Sequence, residues 1–139
     1  MERFRFFDHT ADVGVEAYGS TLPQAFENAG AALFELITDT SKVRPALNRE
    51  IEVEGEDLAN LLYRWIESLV VIHDSERLVL SEFHVDLDEA NLRLKALVAG
   101  EKFNPSVHEP RMVVKAMTYH LLNIEKEGQL YKLTFVVDI

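Results

Sequence analysis

The sequence predicts an α+β fold: a mixed, largely antiparallel sheet covered by two main helices, in a single domain over residues 1–139. Three observations predict it. Two stretches carry apolar residues at three- and four-residue spacing, the pattern of a helix with one buried face. About seven shorter stretches alternate at period two, many of them at hairpin distance from the next. The third observation is bulk composition. With 139 residues, 47% apolar and 27% charged, the chain matches an average soluble domain and can bury roughly two-thirds of its unfolded surface in one core.

Residues 3–7 alternate polar and aromatic side chains as a short strand. The alternation breaks at Asp8-His9-Thr10-Ala11-Asp12 and resumes through Val13, Val15 and Ala17, so two strands flank a polar corner. Gly14 inside the second strand implies close backbone approach or a bulge. Thr21-Leu22-Pro23-Gln24 announces a helix: Thr21 caps it, Gln24 completes a capping box, and Pro23 is tolerated in the first turn. Leu22, Phe26, Ala29, Leu33, Leu36 and Ile37 line its buried face, and Gly30 is its weak point. Residues 38–48 turn polar around Pro45 and predict a loop.

A strand at residues 50–54 alternates around Ile51 and Val53. Gly55-Glu56-Asp57 then opens the second helix with acids where the helix dipole favours them. Leu58, Leu61, Leu62, Trp65, Leu69 and Ile72 give it the strongest helical stripe in the chain, which places Trp65 in the core. Residues 78–87 form a strand whose apolar phase slips at Ser81-Glu82, the sign of a bulge. Asp88-Glu89-Ala90-Asn91 turns it into a strand through Leu92, Leu94, Ala96 and Val98. Residues 101–110 read as a loop holding Asn104 and His108. A closing hairpin pairs residues 113–124 with 130–137 around Lys126-Glu127-Gly128-Gln129.

Fourteen basic against 24 acidic residues leave a net charge of −10. Such a surface repels a phosphate backbone, so tight binding of bare nucleic acid is not expected. A basic protein or a metal cation suits it better. The absence of cysteine excludes disulfides and thiolate zinc sites. There is no apolar signal-peptide core and no run near the roughly 20 apolar residues that a membrane span needs, so a cytoplasmic protein is expected.

Three places hold candidate chemistry. The corner from Asp8 to Asp12 gathers three ionisable groups in five residues, either as a self-satisfied turn or as a metal or catalytic corner. At the chain end, Asp138 points away from the face of Tyr131, Leu133, Phe135 and Val137, and the Ile139 α-carboxylate follows one residue later. Two such carboxylates repel, so they either fray into water or are neutralised by a cation or a basic side chain. The third place is Lys115-Ala116-Met117-Thr118-Tyr119-His120, where Thr118 and His120 share one strand face and Lys115, Met117 and Tyr119 the other. No phosphate loop, dinucleotide glycine fingerprint, Gly-x-Ser-x-Gly or His-Glu-x-x-His is present.

Together, Asp8-His9-Thr10-Ala11-Asp12-Val13-Gly14, Val114-Lys115-Ala116-Met117-Thr118-Tyr119-His120 and the ending Val137-Asp138-Ile139 resemble the archease family, from Phe4 to Ile139. The resemblance implies an accessory protein of the RtcB-type tRNA-splicing ligase, itself no ligase. Such a protein promotes guanylylation and multiple turnover and widens nucleotide choice. It further implies a divalent cation, calcium foremost, held by Asp12, Asp138 and Ile139, and a role for Lys115 in activating the ligase. An all-oxygen, anionic donor set favours calcium, magnesium or manganese over zinc, in agreement. Two other readings stand beside it. One is a small metal-dependent phosphoesterase with His9 or His120 as base. The other is a chaperone or modulator of RNA- and DNA-processing proteins.

Overall fold

Two antiparallel sheets and two helices share one apolar core in the computed structural model, which describes residues 2–9 and 12–139, with the backbone alone at His9. In chain order the elements are β1 (Phe4–His9), β2 (Asp12–Gly19), α1 (Leu22–Ile37), β3 (Leu47–Glu54), α2 (Leu58–Glu76), β4 (Leu78–Asp88), β5 (Arg93–Lys102), β6 (Ala116–Met117), β7 (Asn123–Glu127) and β8 (Leu130–Asp138). A short 3-10 turn occupies Thr40–Lys42. Sheet A runs β1-β2-β8, with β6 and β7 both paired to the far side of β8; sheet B runs β3-β5-β4. Both helices contact both sheets. No helix among the described residues is long and apolar enough to cross a membrane.

The α+β class and the two helices stand as the sequence predicts, but the strands divide into two sheets, and all described pairings are antiparallel. Local chemistry starts each helix. Thr21 Oγ1 accepts the Gln24 amide at 3.2 Å, while the Gln24 side chain reaches back to the Ser20 amide at 2.6 Å instead of that of Thr21. Asp57 is the cap of α2, accepting the Asn60 amide at 2.7 Å, and no acid lies in the first turn itself. Trp65 is fully buried and its indole N–H donates to the Phe26 carbonyl at 2.9 Å, locking α2 to α1. Gly30, the predicted weak point, is where the Phe83 ring of β4 approaches α1: a Cβ there would meet Phe83 Cδ1 at 2.9 Å.

The predicted phase slip is a register shift between Leu80 and Glu82. Several boundaries move, and Leu92, predicted in a strand, takes a left-handed turn (φ 53°) before β5. β1 continues through Asp8 and His9, β3 starts at Leu47, and β5 runs on to Lys102. The larger correction concerns the first arm of the closing hairpin. Residues 113–124 are not one strand: two-residue β6 ends at Met117, Leu121 takes a left-handed conformation (φ 55°), and β7 begins at Asn123. Met117 is therefore buried while Lys115 and Tyr119 are exposed, so those three do not share a face.

The loop after β5 is anchored by a buried histidine. The Asn104 amide donates to His108 Nδ1 at 2.9 Å, so the ring proton sits on Nε2 and is donated to Glu101 Oε2 at 2.9 Å. This is a hydrogen bond from a neutral imidazole, not an ion pair. Glu101 also accepts the Arg44 amide at 2.8 Å, tying the loop after the 3-10 turn to the loop after β5. The Arg44 amide first, and the His108 ring second, hold the Glu101 carboxyl below its ordinary value. A depressed carboxyl stabilises the fold above the unfolded pKa and loses that contribution as pH falls toward the folded one. Glu101→Gln should therefore destabilise the protein at neutral pH, with the deficit shrinking below about pH 4.3. Urea unfolding of both proteins at neutral and acidic pH measures this; a deficit independent of pH would contradict it.

Candidate functional site

β8 brings the three sequence-predicted segments together at one end of sheet A. Asp138 lies opposite Asp12 of β2 on one side and opposite Ala116 of β6 on the other. Residues directly opposite in an antiparallel pair project to the same face, with Cβ atoms about 4.5–5.5 Å apart. The Asp12 and Asp138 carboxylates thus share a face, and both residues are half-buried. The opposite face is core: Val13, Met117 and Val137 are buried. This bears out the outward direction predicted for Asp138. Ile139 packs partly buried against the core cluster.

Asp8 lies opposite Val13, one register position away from Asp12 and so on the other face of sheet A. The corner therefore does not converge as a unit. His9 is in backbone register with Asp12, and Thr10 and Ala11 lie outside the described residues. Gly14 sits beside Asp12 on the carboxylate face, and the Phe7 ring occupies the place where a side chain would stand. The predicted close approach is that ring.

Lys115 is placed by its main chain. The Arg111 and Met112 amides donate to the carbonyls of Ile37 (3.1 Å) and Leu36 (3.0 Å), and the Arg111 guanidinium donates to the Glu35 carbonyl at 2.9 Å. These bonds satisfy carbonyls that the C-terminus of α1 leaves open. Buried Val114 anchors the next step, and the Lys115 amide then donates to the Asp138 carbonyl at 2.8 Å. Thr118 donates through both its amide (3.2 Å) and its hydroxyl (2.9 Å) to Val136. Tyr119 stacks on Tyr63 of α2, with centroids 4.1 Å apart and planes 3° apart. The Lys115 side chain stays exposed. His120 is exposed, its amide donating to Thr118 Oγ1.

The donors here are carboxylate oxygens, which suit a hard divalent cation. Among the described residues no three His, Cys, Asp or Glu side chains gather in one place. A cation at Asp12 and Asp138 therefore needs a further donor such as a main-chain carboxylate. Sequence reasoning missed the exposed apolar side chains around this end. Val113 is 75% and Leu121 50% exposed, yet their spacing resembled that of a half-buried strand.

The chain matches the model of the Archease protein family over residues 4–139. It belongs to the archease family. It is 59% identical to the protein archease of Sulfurisphaera tokodaii and 56% identical to that of Sulfolobus acidocaldarius, each over 139 residues and the full length of both chains. The solution structure of Methanobacterium thermoautotrophicum protein 1598 superimposes with a TM-score of 0.89 at 42% identity, covering all of both chains. A Thermotoga maritima crystal structure, described as an archease, possible chaperone, has a TM-score of 0.67 at 21% identity, covering 96% of this chain and 94% of that one. That likeness shows the archease fold alone.

In this archease-family chain, like charges directly opposite on neighbouring strands cost about 0.2–1 kcal/mol. Asp138→Asn should therefore raise the melting temperature of chelator-treated protein by about 1–4 °C. A lower melting temperature would mean that the Asp138 charge itself stabilises the strand end.

Proposed function

We propose that this chain is an accessory protein, not an enzyme, that activates an RtcB-type tRNA-splicing ligase in the cytoplasm. It would promote the ligase's guanylylation and multiple turnover and widen its choice of nucleoside triphosphate. The observation that supports this reading best is the register at the end of β8, with Asp12 opposite Asp138 and the Lys115 amide on the Asp138 carbonyl. On this reading Asp12, Asp138 and the Ile139 carboxylate hold a divalent cation, calcium best and magnesium or manganese by the same oxygen chemistry. When bound, the cation supplies positive charge for anionic groups that the ligase presents. Lys115 extends its ammonium from the same end toward the ligase or its nucleotide. The charge of −10 keeps the chain off the tRNA backbone and directs it to the ligase protein.

A chaperone reading has its own support in Val113, Tyr119 and Leu121, which are 75%, 65% and 50% exposed near this end. Suppression of aggregation of an unrelated client, indifferent to Asp12, would favour it. Phosphoester hydrolysis by the protein alone with manganese would favour the hydrolase reading.

The deciding experiment is multiple-turnover ligation by the cognate ligase with and without this protein. Asp12→Ala should abolish stimulation while leaving the melting temperature within a few degrees, because Asp12 lies off the core face; a fall of tens of degrees would make it structural. Extending the chain beyond Ile139 converts an anion into a neutral amide. Calorimetry should then show calcium affinity at least about tenfold weaker, roughly 1.4 kcal/mol, and equal affinities would remove Ile139 from the site. Lys115→Ala should impair stimulation with calcium binding retained. Normal stimulation would mark the lysine as a solvated strand-end residue.

A further inference from the structure

The two edges of sheet B differ in character. On β4, α1 covers the edge, and Glu27 Oε2 accepts the Val85 amide at 2.9 Å. On β3, pairing is to β5 alone, and among the described residues no hydrogen bond outside that ladder reaches an amide of β3. An eight-residue strand thus presents an open row of amide donors, and of its carbonyls that of Asn48 accepts from the Arg49 guanidinium at 2.7 Å.

A groove of about 680 Å³ runs along this edge, between residues 50–54 and the Arg64, Glu67, Ser68, Val71 and Ile72 side of α2. Those helix positions form one stripe of about 12 Å, the length of roughly four extended residues. Val71 is 56% exposed within it. The other face of β3 alternates Asn48, Glu50, Glu52 and Glu54, all exposed. Glu54 pairs with Arg93 at 3.2 Å. Among the described residues Glu50 and Glu52 have no ion-pair partner within 4.0 Å.

We propose that β3 is a docking edge that takes, as a fourth strand of sheet B, an extended segment of a partner protein in which Lys or Arg alternates with apolar residues. The open backbone row supplies the ladder, and the side-chain period of two sorts the guest's residues between two faces. On the outer face its cations meet Glu50 and Glu52. On the inner face its apolar side chains enter the groove against Val71 and Ile72. A second copy of this chain does not fit, because pairing β3 with itself sets acids against acids, and nucleic acid is repelled by the same row. This surface lies on the other sheet from Asp12 and Asp138, and its function does not depend on the ligase reading.

The test is an NMR titration of the isotope-labelled full chain with a capped seven-residue peptide alternating Lys and Val. The controls are a peptide with the same residues in two blocks and an alternating Glu–Val peptide. Saturable shifts confined to residues 48–54 and 64–72 are expected, with affinity for the block peptide and for the Glu–Val peptide at least about tenfold weaker. Glu50→Lys combined with Glu52→Lys should exchange the preference, so that the Glu–Val peptide binds and the Lys–Val peptide does not. Val71→Asp, at an exposed position, should weaken Lys–Val binding with the melting temperature unchanged, which separates the groove from the bare charge. No saturable binding at millimolar peptide, equal binding of the block peptide, or shifts spread over all acidic surfaces would overturn the proposal. Concentration-dependent dimerisation through β3 in sedimentation would overturn it in favour of a second copy.

Discussion

The position of β8 inside sheet A constrains everything near the site. It is hydrogen-bonded on both sides, to β2 on one and to β6 and β7 on the other, and its Leu133, Phe135 and Val137 are fully buried. A slip of one residue would turn those three side chains outward and Asp138 inward. Each large buried apolar side chain contributes about 1.5–3 kcal/mol, whereas opposed carboxylates cost about 0.2–1 kcal/mol. Core packing therefore wins and fixes the register, and Asp12 faces Asp138 as a by-product of where the valines and phenylalanine must go. Site and core are set by one alignment of two strands.

The two acids are thereby aligned by the strand register, while Lys115 is held only at its root. The main chain of residues 111–118 is stitched to the end of α1 and to the end of β8, yet the Lys115 side chain projects into solvent. A lysine stem retains most of its rotamer freedom in such a position, so its reach is set by the backbone and its aim by whatever it meets. Elsewhere the acids are spent locally: Lys132, for example, lies 3.0 Å from Glu16 and within 4.0 Å of both Glu125 and Glu127, and is held charged by them.

Much of this was legible in the sequence because the relevant signals are local. The cap at Thr21, the α2 stripe with Trp65, the slip at Ser81-Glu82 and the turn at Gly128 each follow from residues within one or two turns of chain. The outward direction of Asp138 followed from strand alternation alone. What could not be read depends on distant partners. Val113, Met117 and Tyr119 alternate as a strand would, but the Arg111 and Met112 amides bond to α1 and the chain leaves the sheet after Met117. β3 begins three residues before its first alternating pair, since Leu47 and Asn48 are exposed and carry no apolar rhythm. The division into two sheets is likewise a matter of which strands meet. For the site, each acid was visible singly, whereas their adjacency is a property of the β2–β8 register; the ligand set came from likeness to a family.

The pairing of β2 with β8 also has a consequence in time. β2 is among the first elements a ribosome would release and β8 follows every other described element, so the two must find each other across nearly the whole chain. Joining distant segments carries the largest loop-closure entropy and slows folding, while α2 and sheet B assemble from near neighbours. The carbonyls at the end of α1 wait too, since their partners at Arg111 and Met112 emerge late. A nascent chain would thus carry Asp12 on a strand edge that stays unpaired until Asp138 arrives. Chains cut short before β8 would hold most of the protein's mass, and Asp12 without the Asp138 it faces.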